Sequence, residues 1–430
     1  MARDRTGDLF SALNKTFGGV VGTADKKPMD NARITTGSTE LDALLGGGIK
    51  VGRVTLFWGE RAGGKTTSAF RIIGISQNLC RRCLRPAIDV QSVPPDEDST
   101  TGRWTATGRC DCYAKGLTEA GRIDPPPKEK GEKEKDYKAR VEAFYETMRE
   151  NSYEEFVVAY LDPENAFDKA WAVQLGVDVR RLIYALPNIA EEAVDISTSV
   201  AASTVVDLMV VDSLANFTPR KEYEESAEEW QQGLQARIVN KAVRKWITGS
   251  CINQNAGQNL TQIWINQTRL KIGITYGDPS VKPGGLGQDF AGISEIRFTG
   301  SKVLKDDKAT EQYGDAKTDS IVVPLRETFF FEVAKTKAST CRSMKGSYMM
   351  ALREVDGYKP GDIVEDEFLF KWAMHLLVEK RKDGYTIGGR VYSTQNAVQK
   401  AIREDQDLRA TIRDVVIRHY QTTTGGGFSG

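Results

Sequence analysis

The run Gly59-Glu60-Arg61-Ala62-Gly63-Gly64-Lys65-Thr66 limits what this chain can fold into more than any other feature. It fits the phosphate-loop pattern Gly-x4-Gly-Lys-Ser/Thr without a mismatch. It also stands where that pattern requires, between an apolar strand predicted at Arg53–Trp58 and a helix predicted to follow. Glycines let backbone N–H groups curl around phosphate oxygens, and the helix N-terminus adds partial positive charge. Read this way, Gly59 through Thr67 cradle a nucleoside triphosphate, Lys65 reaches its β- and γ-phosphates, and the Thr66 hydroxyl holds Mg²⁺. The bland alternative is a glycine turn that merely enters a helix.

The rest of the chain agrees with a strand–loop–helix setting. Further apolar strands are predicted at Phe156–Leu161, Leu182–Leu186, Asp207–Val211 and Gln262–Asn266, with helices over about 166–175, 190–202 and 231–248. Such alternation implies an α/β fold, a parallel-rich twisted sheet covered by helices on both faces. Two β-rich segments, Ile293–Val303 and Ile321–Lys335, close it. The expected organisation is an N-terminal helix with a linker over 1–38, a core over 39–344, a small α+β domain over 345–421 and a disordered tail over 422–430. The core is interrupted at 80–152 by a segment with four cysteines, runs of consecutive prolines near 94 and 125 and a Lys/Glu-rich run read as a linker. In the N-terminal helix Leu9, Phe10, Leu13 and Phe17 share a helical spacing suited to packing on a neighbour or on the chain's own body.

Two acids suit the phosphate loop. Open α/β sheets bind ligands at the carboxyl ends of their strands. Asp212 ends the apolar strand Asp207–Val211 and would meet Thr66 and its Mg²⁺. Glu164 follows the strand Phe156–Leu161 and is placed to orient or deprotonate an attacking water, or else is a helix-start acid favoured by the dipole. The composition removes other chemistries. There are two histidines, His375 and His419, so histidine triads and multi-histidine metal sites are nearly excluded. Lys+Arg and Asp+Glu are both 59, so a polyanion would have to be held by a local cluster. The first twenty residues lack a signal-peptide apolar core, and no apolar run is long enough to span a bilayer. These features predict a soluble, cytoplasmic protein with no membrane partner.

The stretches TGSTELDALLGGGIKVGRVTLFWGERAGGKTT, LDPENAFDKAWAVQLGVD, VDLMVVDSLANFTPR, WINQTRLKIGITYGDP and VAKTK occur in order. In them the chain resembles the bacterial RecA recombinases and their phage relatives, over about residues 8–79 and 153–421. The resemblance implies a RecA-like ATPase core. It makes Glu164 the catalytic glutamate and places Asp168 and Trp171 against adenine. It makes Gln267 a sensor of the γ-phosphate. Lys335 and Lys337, two apart on a predicted strand and so facing one way, would reach the ATP of a neighbouring subunit; their bland alternative is a solvated strand face.

A basic surface lies beside this site. Arg237, Lys241, Arg244 and Lys245 recur at i, i+4, i+7 and i+8, one stripe of a helix that is either solvated or anion-binding. The segment Thr268–Phe290 carries Arg269, Lys271 and Lys282 among five glycines, and a glycine-rich basic loop of that length is more often functional than structural. In the family the two loops flanking this helix hold DNA. Ile272 matches the residue that inserts between bases, Gly284 and Gly285 match phosphate contacts, and Arg237, Asn240, Lys241, Arg244, Arg269 and Lys271 complete the set. The first loop, EYEESAEEWQQGL, is acidic, with Trp230 and Gln232 near its end.

The insertion has no counterpart in the family pattern. Cys80 and Cys83, with Cys110 and Cys112, make two close thiol pairs that could close a structural Zn²⁺ site. Reduced thiols and a redox pair are the alternatives. Arg81, Arg82, Arg85, Arg103 and Arg109 suggest nucleic acid as its target. The leading expectation is an ATP-dependent recombinase that forms helical filaments on single-stranded DNA, pairs it with double-stranded DNA and hydrolyses ATP on DNA stimulation. Its expected cofactors are ATP, Mg²⁺ and Zn²⁺, and its expected partners are further copies of itself and single-strand-binding or mediator proteins. The alternatives are a ring-forming motor of the same superfamily, a helicase or branch-migration ATPase, and a mediator that barely hydrolyses nucleotide.

Overall fold

The computed structural model describes residues 32–81, 84, 128–152, 155–224, 233–270, 279–303, 308–312, 320–337, 339, 341, 343–381 and 384–423, together with Lys15. Nine strands form the central sheet: β1 (Val54–Gly59), β2 (Val158–Leu161), β3 (Leu182–Ala185), β4 (Leu208–Val211), β5 (Thr261–Gln267), β6 (Ser294–Lys302), β7 (Arg326–Thr336), β8 (Met344–Ala351) and β9 (Ile363–Val364). Their order is β9-β8-β7-β6-β1-β5-β4-β2-β3. Every pairing from β6 to β3 is parallel, and β7, β8 and β9 add an antiparallel edge.

Besides the short helix Arg220–Glu224, the helices among the described residues are α1 (Thr39–Leu44), α2 (Lys65–Ser76), α3 (Glu134–Ser152), α4 (Lys169–Gln174), α5 (Ala190–Ala202), α6 (Leu234–Asn255), α7 (Gly287–Ala291), α8 (Asp366–Leu376), α9 (Gln395–Glu404) and α10 (Gln406–Thr423). The central strands are apolar at nearly every position because both faces are covered. All residues of β1, β2 and β4 are buried. Alternation divides them between two cores. Phe57, Val158, Tyr160, Val210 and Ile265 pack with Phe70, Ile72 and Ile73 of α2. Leu56, Trp58, Ala159, Met209 and Trp264 pack on the other face with Val194 of α5 and Val239, Val243 and Trp246 of α6. The expectation of a RecA-like α/β sheet with flanking helices therefore holds.

Several details depart from the predicted elements. Helix α6 runs to Asn255 rather than about 248, because Gly249 lies within it and lets it approach α5 closely. A Cβ at Gly249 would stand 2.8 Å from that of Ala201. The Ile321–Lys335 segment is two strands, since Ser320–Pro324 turns back on Lys308–Gln312 before β7 begins. The sheet continues past residue 344, because Tyr348 and Met350 of β8 face the first core. The Lys/Glu-rich run read as a linker is helical over Glu134–Ser152. Glu134 and Asp136 in its first turn complement the helix dipole, and Glu132 receives a bidentate Arg140 guanidinium at 2.8–2.9 Å.

A third core joins α8, α9 and α10 through Leu369, Ala373, Val398, Ile402, Ile412 and Val416, beside a three-stranded sheet over 379–392. Ala43 of α1 belongs to it. Glu365 ties it to the body by accepting from the Thr39 amide at 3.1 Å while also receiving Arg413. Among the described residues no helix is long and apolar enough to cross a membrane. Leu9, Phe10, Leu13 and Phe17 of the predicted N-terminal helix and most of the tail lie outside the described residues.

The tightest joint in the sheet is Gly59, where β1 passes β6 at a φ of +140° and a Cβ would stand 1.9 Å from the Phe298 carbonyl oxygen. Gly59→Ala is expected to destabilise the chain by roughly 2–4 kcal/mol, through strained backbone and forced separation of the strands. The urea midpoint of unfolding reads this directly.

Candidate nucleotide site and adjoining loop

β1 delivers its chain into the phosphate loop at the carboxyl edge of the sheet. Ala62 (φ +54°) and Gly64 (φ +93°) hold left-handed conformations that wind the loop, and Gly64 is the N-cap of α2. The Lys65 ammonium folds back over the loop, donating to the Gly59 carbonyl at 3.2 Å and to the Glu60 carbonyl. Burial lowers its pKa, opposed by Asp212, Glu164 and Glu60. Glu60 and Arg61 are exposed, while Gly63 is buried.

Thr66 donates its hydroxyl to Asp212 at 2.6 Å, and the Tyr160 hydroxyl reaches the same carboxylate oxygen at 3.0 Å. Burial raises the Asp212 pKa to about 6, against the two hydrogen bonds. A hydroxyl and a buried carboxylate are hard oxygen donors, and they converge where a triphosphate's Mg²⁺ belongs; the residues present fit that ion. Tyr160 was not anticipated from sequence. The available signal was its place on β2 two residues before an acid.

Asp162 ends β2 and shapes the next turn by accepting from the Ala166 and Phe167 amides at 3.1 and 3.0 Å and from the Tyr184 hydroxyl at 3.0 Å. That turn carries Glu164 over the carboxyl edge. The Gln267 amide donates to both Glu164 oxygens at 3.2 and 3.3 Å, and the Ser213 hydroxyl adds a bond at 3.1 Å. The structure thus brings together Lys65, Thr66, Asp212, Glu164 and Gln267. Asp168 is the N-cap of α4, its carboxylate accepting from the Trp171 amide at 3.0 Å. The cap aims Trp171, whose indole N–H lies 3.4 Å from the Thr67 hydroxyl.

The second basic loop leaves β5 directly after Gln267. Its stem is closed by the pairing of Arg269 with Val281 and Leu270 with Ser280. Its return passes through Gly284 (φ +92°) and Gly285 (φ +79°), which press on Val239 and Asn240 of α6. Asn240 faces this turn, accepting from the Gly287 amide at 3.0 Å. Arg237, Lys241 and Arg244 are exposed on α6, whereas Lys245 leaves the stripe by pairing with Asp195 at 2.9 Å. Lys271, Ile272, Trp230 and Gln232 lie outside the described residues.

Lys282 is paired as well. It meets Asp289 at 2.6 Å and Glu295 at 2.7 Å, and its ammonium sits 4.9 Å from the Trp58 ring. Glu295 also receives Lys335 at 3.3 Å, and Lys335 donates to the Asp289 carbonyl. Lys337 lies just past the end of β7 and is exposed. Glu295 was not singled out from sequence, because its partners are remote in the chain. Of the four cysteines read as a zinc set, Cys80 is fully buried and bridges to Glu155, while Cys83, Cys110 and Cys112 lie outside the described residues. Among the described residues no group of three or more His, Cys, Asp or Glu is arranged to hold a metal, so the Zn²⁺ expectation gains no support.

Comparison with known proteins bears on this arrangement. The RecA N-terminal domain family matches residues 141–330, and the Rad51 family matches residues 28–82. Protein RecA of Prochlorococcus marinus (strain NATL1A) is 42% identical over 159 residues, covering 37% of this chain and 40% of that protein. Protein RecA of Petrotoga mobilis is 37% identical over 166 residues, 39% of this chain and 43% of that protein. Protein RecA of Trichodesmium erythraeum is 28% identical over 309 residues, 71% of this chain and 63% of that protein. The chain thus spans less than two thirds of the length of these relatives.

The Thr66–Asp212 contact generates a direct test. Thr66→Val removes one oxygen donor at nearly constant volume. It is expected to abolish the Mg²⁺-dependent part of ATP affinity, about tenfold or more, and to leave Mg²⁺-free binding near wild type. Calorimetric titration with and without Mg²⁺ separates the two.

Proposed function

The chain belongs to the RecA family, and from that premise we propose that it is an ATP-hydrolysing recombinase that assembles on single-stranded DNA and exchanges strands with a duplex. The observation that carries this reading is the Glu164–Gln267 contact at 3.2 Å. It joins the group best placed to activate water to the residue from which the second basic loop departs. Hydrolysis and DNA grip then share one hydrogen-bonded pair.

ATP occupies the cradle from Gly59 to Thr67, with Lys65 released from the loop carbonyls onto the β- and γ-phosphates. Thr66 and Asp212 would hold Mg²⁺, which would screen the phosphate charge. Trp171 stacks on adenine, and Asp168 fixes the turn that presents it. Glu164 orients the attacking water and accepts its proton, the chemistry expected of a carboxylate within reach of that water. In the protomer alone Gln267 occupies both oxygens of Glu164. A γ-phosphate that draws Gln267 away frees the base and repositions the loop in one motion.

DNA is held by phosphate contacts rather than base edges. Arg237, Lys241 and Arg244 project from α6, and the Gly284–Gly285 turn packs on the same helix, so cations and backbone N–H groups line one surface. The neighbouring subunit completes the nucleotide pocket through Lys335 and Lys337. Leu286 and Phe290 support a protein junction there, being 69% and 78% exposed on either side of the Asp289 carbonyl that anchors Lys335.

Two measurements test the reading. Electron microscopy with single-stranded DNA and a non-hydrolysable ATP analogue is expected to show helical filaments; closed rings would instead indicate a motor. A Glu164→Gln chain and a Lys335→Ala chain are each expected to lose DNA-stimulated hydrolysis. An equal mixture should recover activity at about one junction in four, the random share pairing both intact halves. No recovery would place Lys335 outside a shared site.

A further inference from the structure

We propose that Asn266 and Gln288 form a buried amide relay that transmits the position of Gln267 to the returning arm of the second loop. The inference rests on the reading of Gln267 as the group that answers to the γ-phosphate. It concerns the return of the loop, whereas the direct path from Gln267 runs only into its outgoing arm.

Both side chains are fully buried. The Asn266 carbonyl accepts from the Gln267 backbone amide at 2.9 Å. The Asn266 amide donates to Gln288 Oε1 at 2.7 Å and to the Pro283 carbonyl at 2.9 Å. Gln288 donates in turn to the Pro283 carbonyl at 2.7 Å and to the Gly285 carbonyl at 3.0 Å. Each amide N–H and each side-chain carbonyl therefore has a partner, and Pro283 accepts from both amides.

A polar network of this kind is energetically stiff. Because both side chains are fully buried, shifting one member strands a donor or acceptor, so the members move together or not at all. Asn266 lies within β5 and is anchored by the sheet, opposite Trp58 in register. Gln288 lies on the short helix α7, which follows the glycine turn. The relay thus clamps Pro283 and Gly285 to the strand end bearing Gln267. A change of backbone at Gln267 alters the Asn266 acceptor bond, and the alteration reaches Gly285, beside the cationic face of α6. Apolar side chains at 266 and 288 would fill the same space without registering such a shift. Two bonded amides occupy it instead, so that a shift at one end is felt at the other.

Asn266 and Gln288 are positioning residues, and their test must separate coupling from folding. Gln288→Met conserves volume and removes every relay bond of that side chain. In the full-length chain we measure single-stranded oligonucleotide affinity by fluorescence anisotropy, without nucleotide and with a non-hydrolysable ATP analogue at saturation. Wild type is expected to bind more tightly with the analogue. In Gln288→Met that gain should fall by about tenfold, with the affinity measured without nucleotide and the affinity for the analogue itself within about twofold of wild type. Gln267→Ala serves as reference and should lose the gain as well. If Gln267→Ala loses it and Gln288→Met keeps it, the relay is wrong and the reading of Gln267 stands. If wild type shows no gain, the reading of Gln267 fails and the relay with it. A second readout needs no variant. Hydrogen exchange in wild type should show peptides over 281–290 gaining protection together with the Gln267 peptide on adding the analogue. Protection confined to Gln267 would overturn the relay.

Discussion

The parallel pairing of β1 with β5 sets Gly59 opposite Gln267. Everything at the carboxyl edge depends on that register. Gly59 begins the phosphate loop and Gln267 ends the strand from which the second loop leaves. One step of slip would carry Gln267 to the other face of the sheet and exchange it with Asn266. The register is held because β1 and β5 are buried along their length between two helical layers. Phe57 and Ile265 point one way, and Leu56, Trp58 and Trp264 point the other. The same constraint aligns β2 and β4, so that Glu164 and Asp212 follow strands ending at one level. The arrangement is that of an open sheet whose ligand site lies along its carboxyl edge.

Charge burial is the second determinant. Asp212 and Lys65 lie near the floor of the site, and in the protomer alone each is satisfied internally. Asp212 takes the hydroxyls of Thr66 and Tyr160, and Lys65 takes loop carbonyls. Without these substitutes both groups would incur the full penalty of desolvation. The partners are the ones a bound nucleotide and its ion would displace, so the site is pre-shaped rather than pre-filled. The cluster of Lys282, Lys335, Glu295 and Asp289 follows the same logic beside the return of the second loop. Two cations and two anions balance, which leaves neither lysine free until something competes for Glu295.

How much of this could be read beforehand follows from the distance over which each signal acts. The phosphate loop was legible because its chemistry is written in consecutive residues, and Asp212 and Glu164 because an acid closing an apolar strand is a local pattern. Gln267 needed the family resemblance. Asp168 read as a ligand contact, and its second role as the cap of α4 is itself a local pattern that the sequence offered. Asn240 read as a DNA contact, and its bond to Gly287, set by a loop returning through space, was not legible. Lys245 fitted a basic stripe by spacing, and only the packing of α5 on α6 reveals Asp195 beside it. Glu295 and Gln288 were illegible, since each gains meaning from a loop that returns through space. The Lys/Glu-rich run misled because high charge signals solvation, which a solvated helix also satisfies.

The bridge between Cys80 and Glu155 shows where the chain leaves and re-enters the sheet between α2 and β2. Helix α2 begins at the carboxyl edge with Lys65 and runs back along the sheet for twelve residues, about 18 Å at helical rise. Its far end therefore lies near the amino ends of the strands, where β2 also starts. Cys80 and Glu155 bridge there as an antiparallel pair, so the chain leaves and re-enters the core at one point. Arg81 reinforces that point by pairing with Asp207 at 2.7 Å, while Asp207 also accepts from the Val157 amide at 2.9 Å. A stem closed in this way leaves the sheet undisturbed, because the ends of the intervening segment are neighbours. It also stands at the opposite end of the strands from Thr66, Glu164 and Gln267.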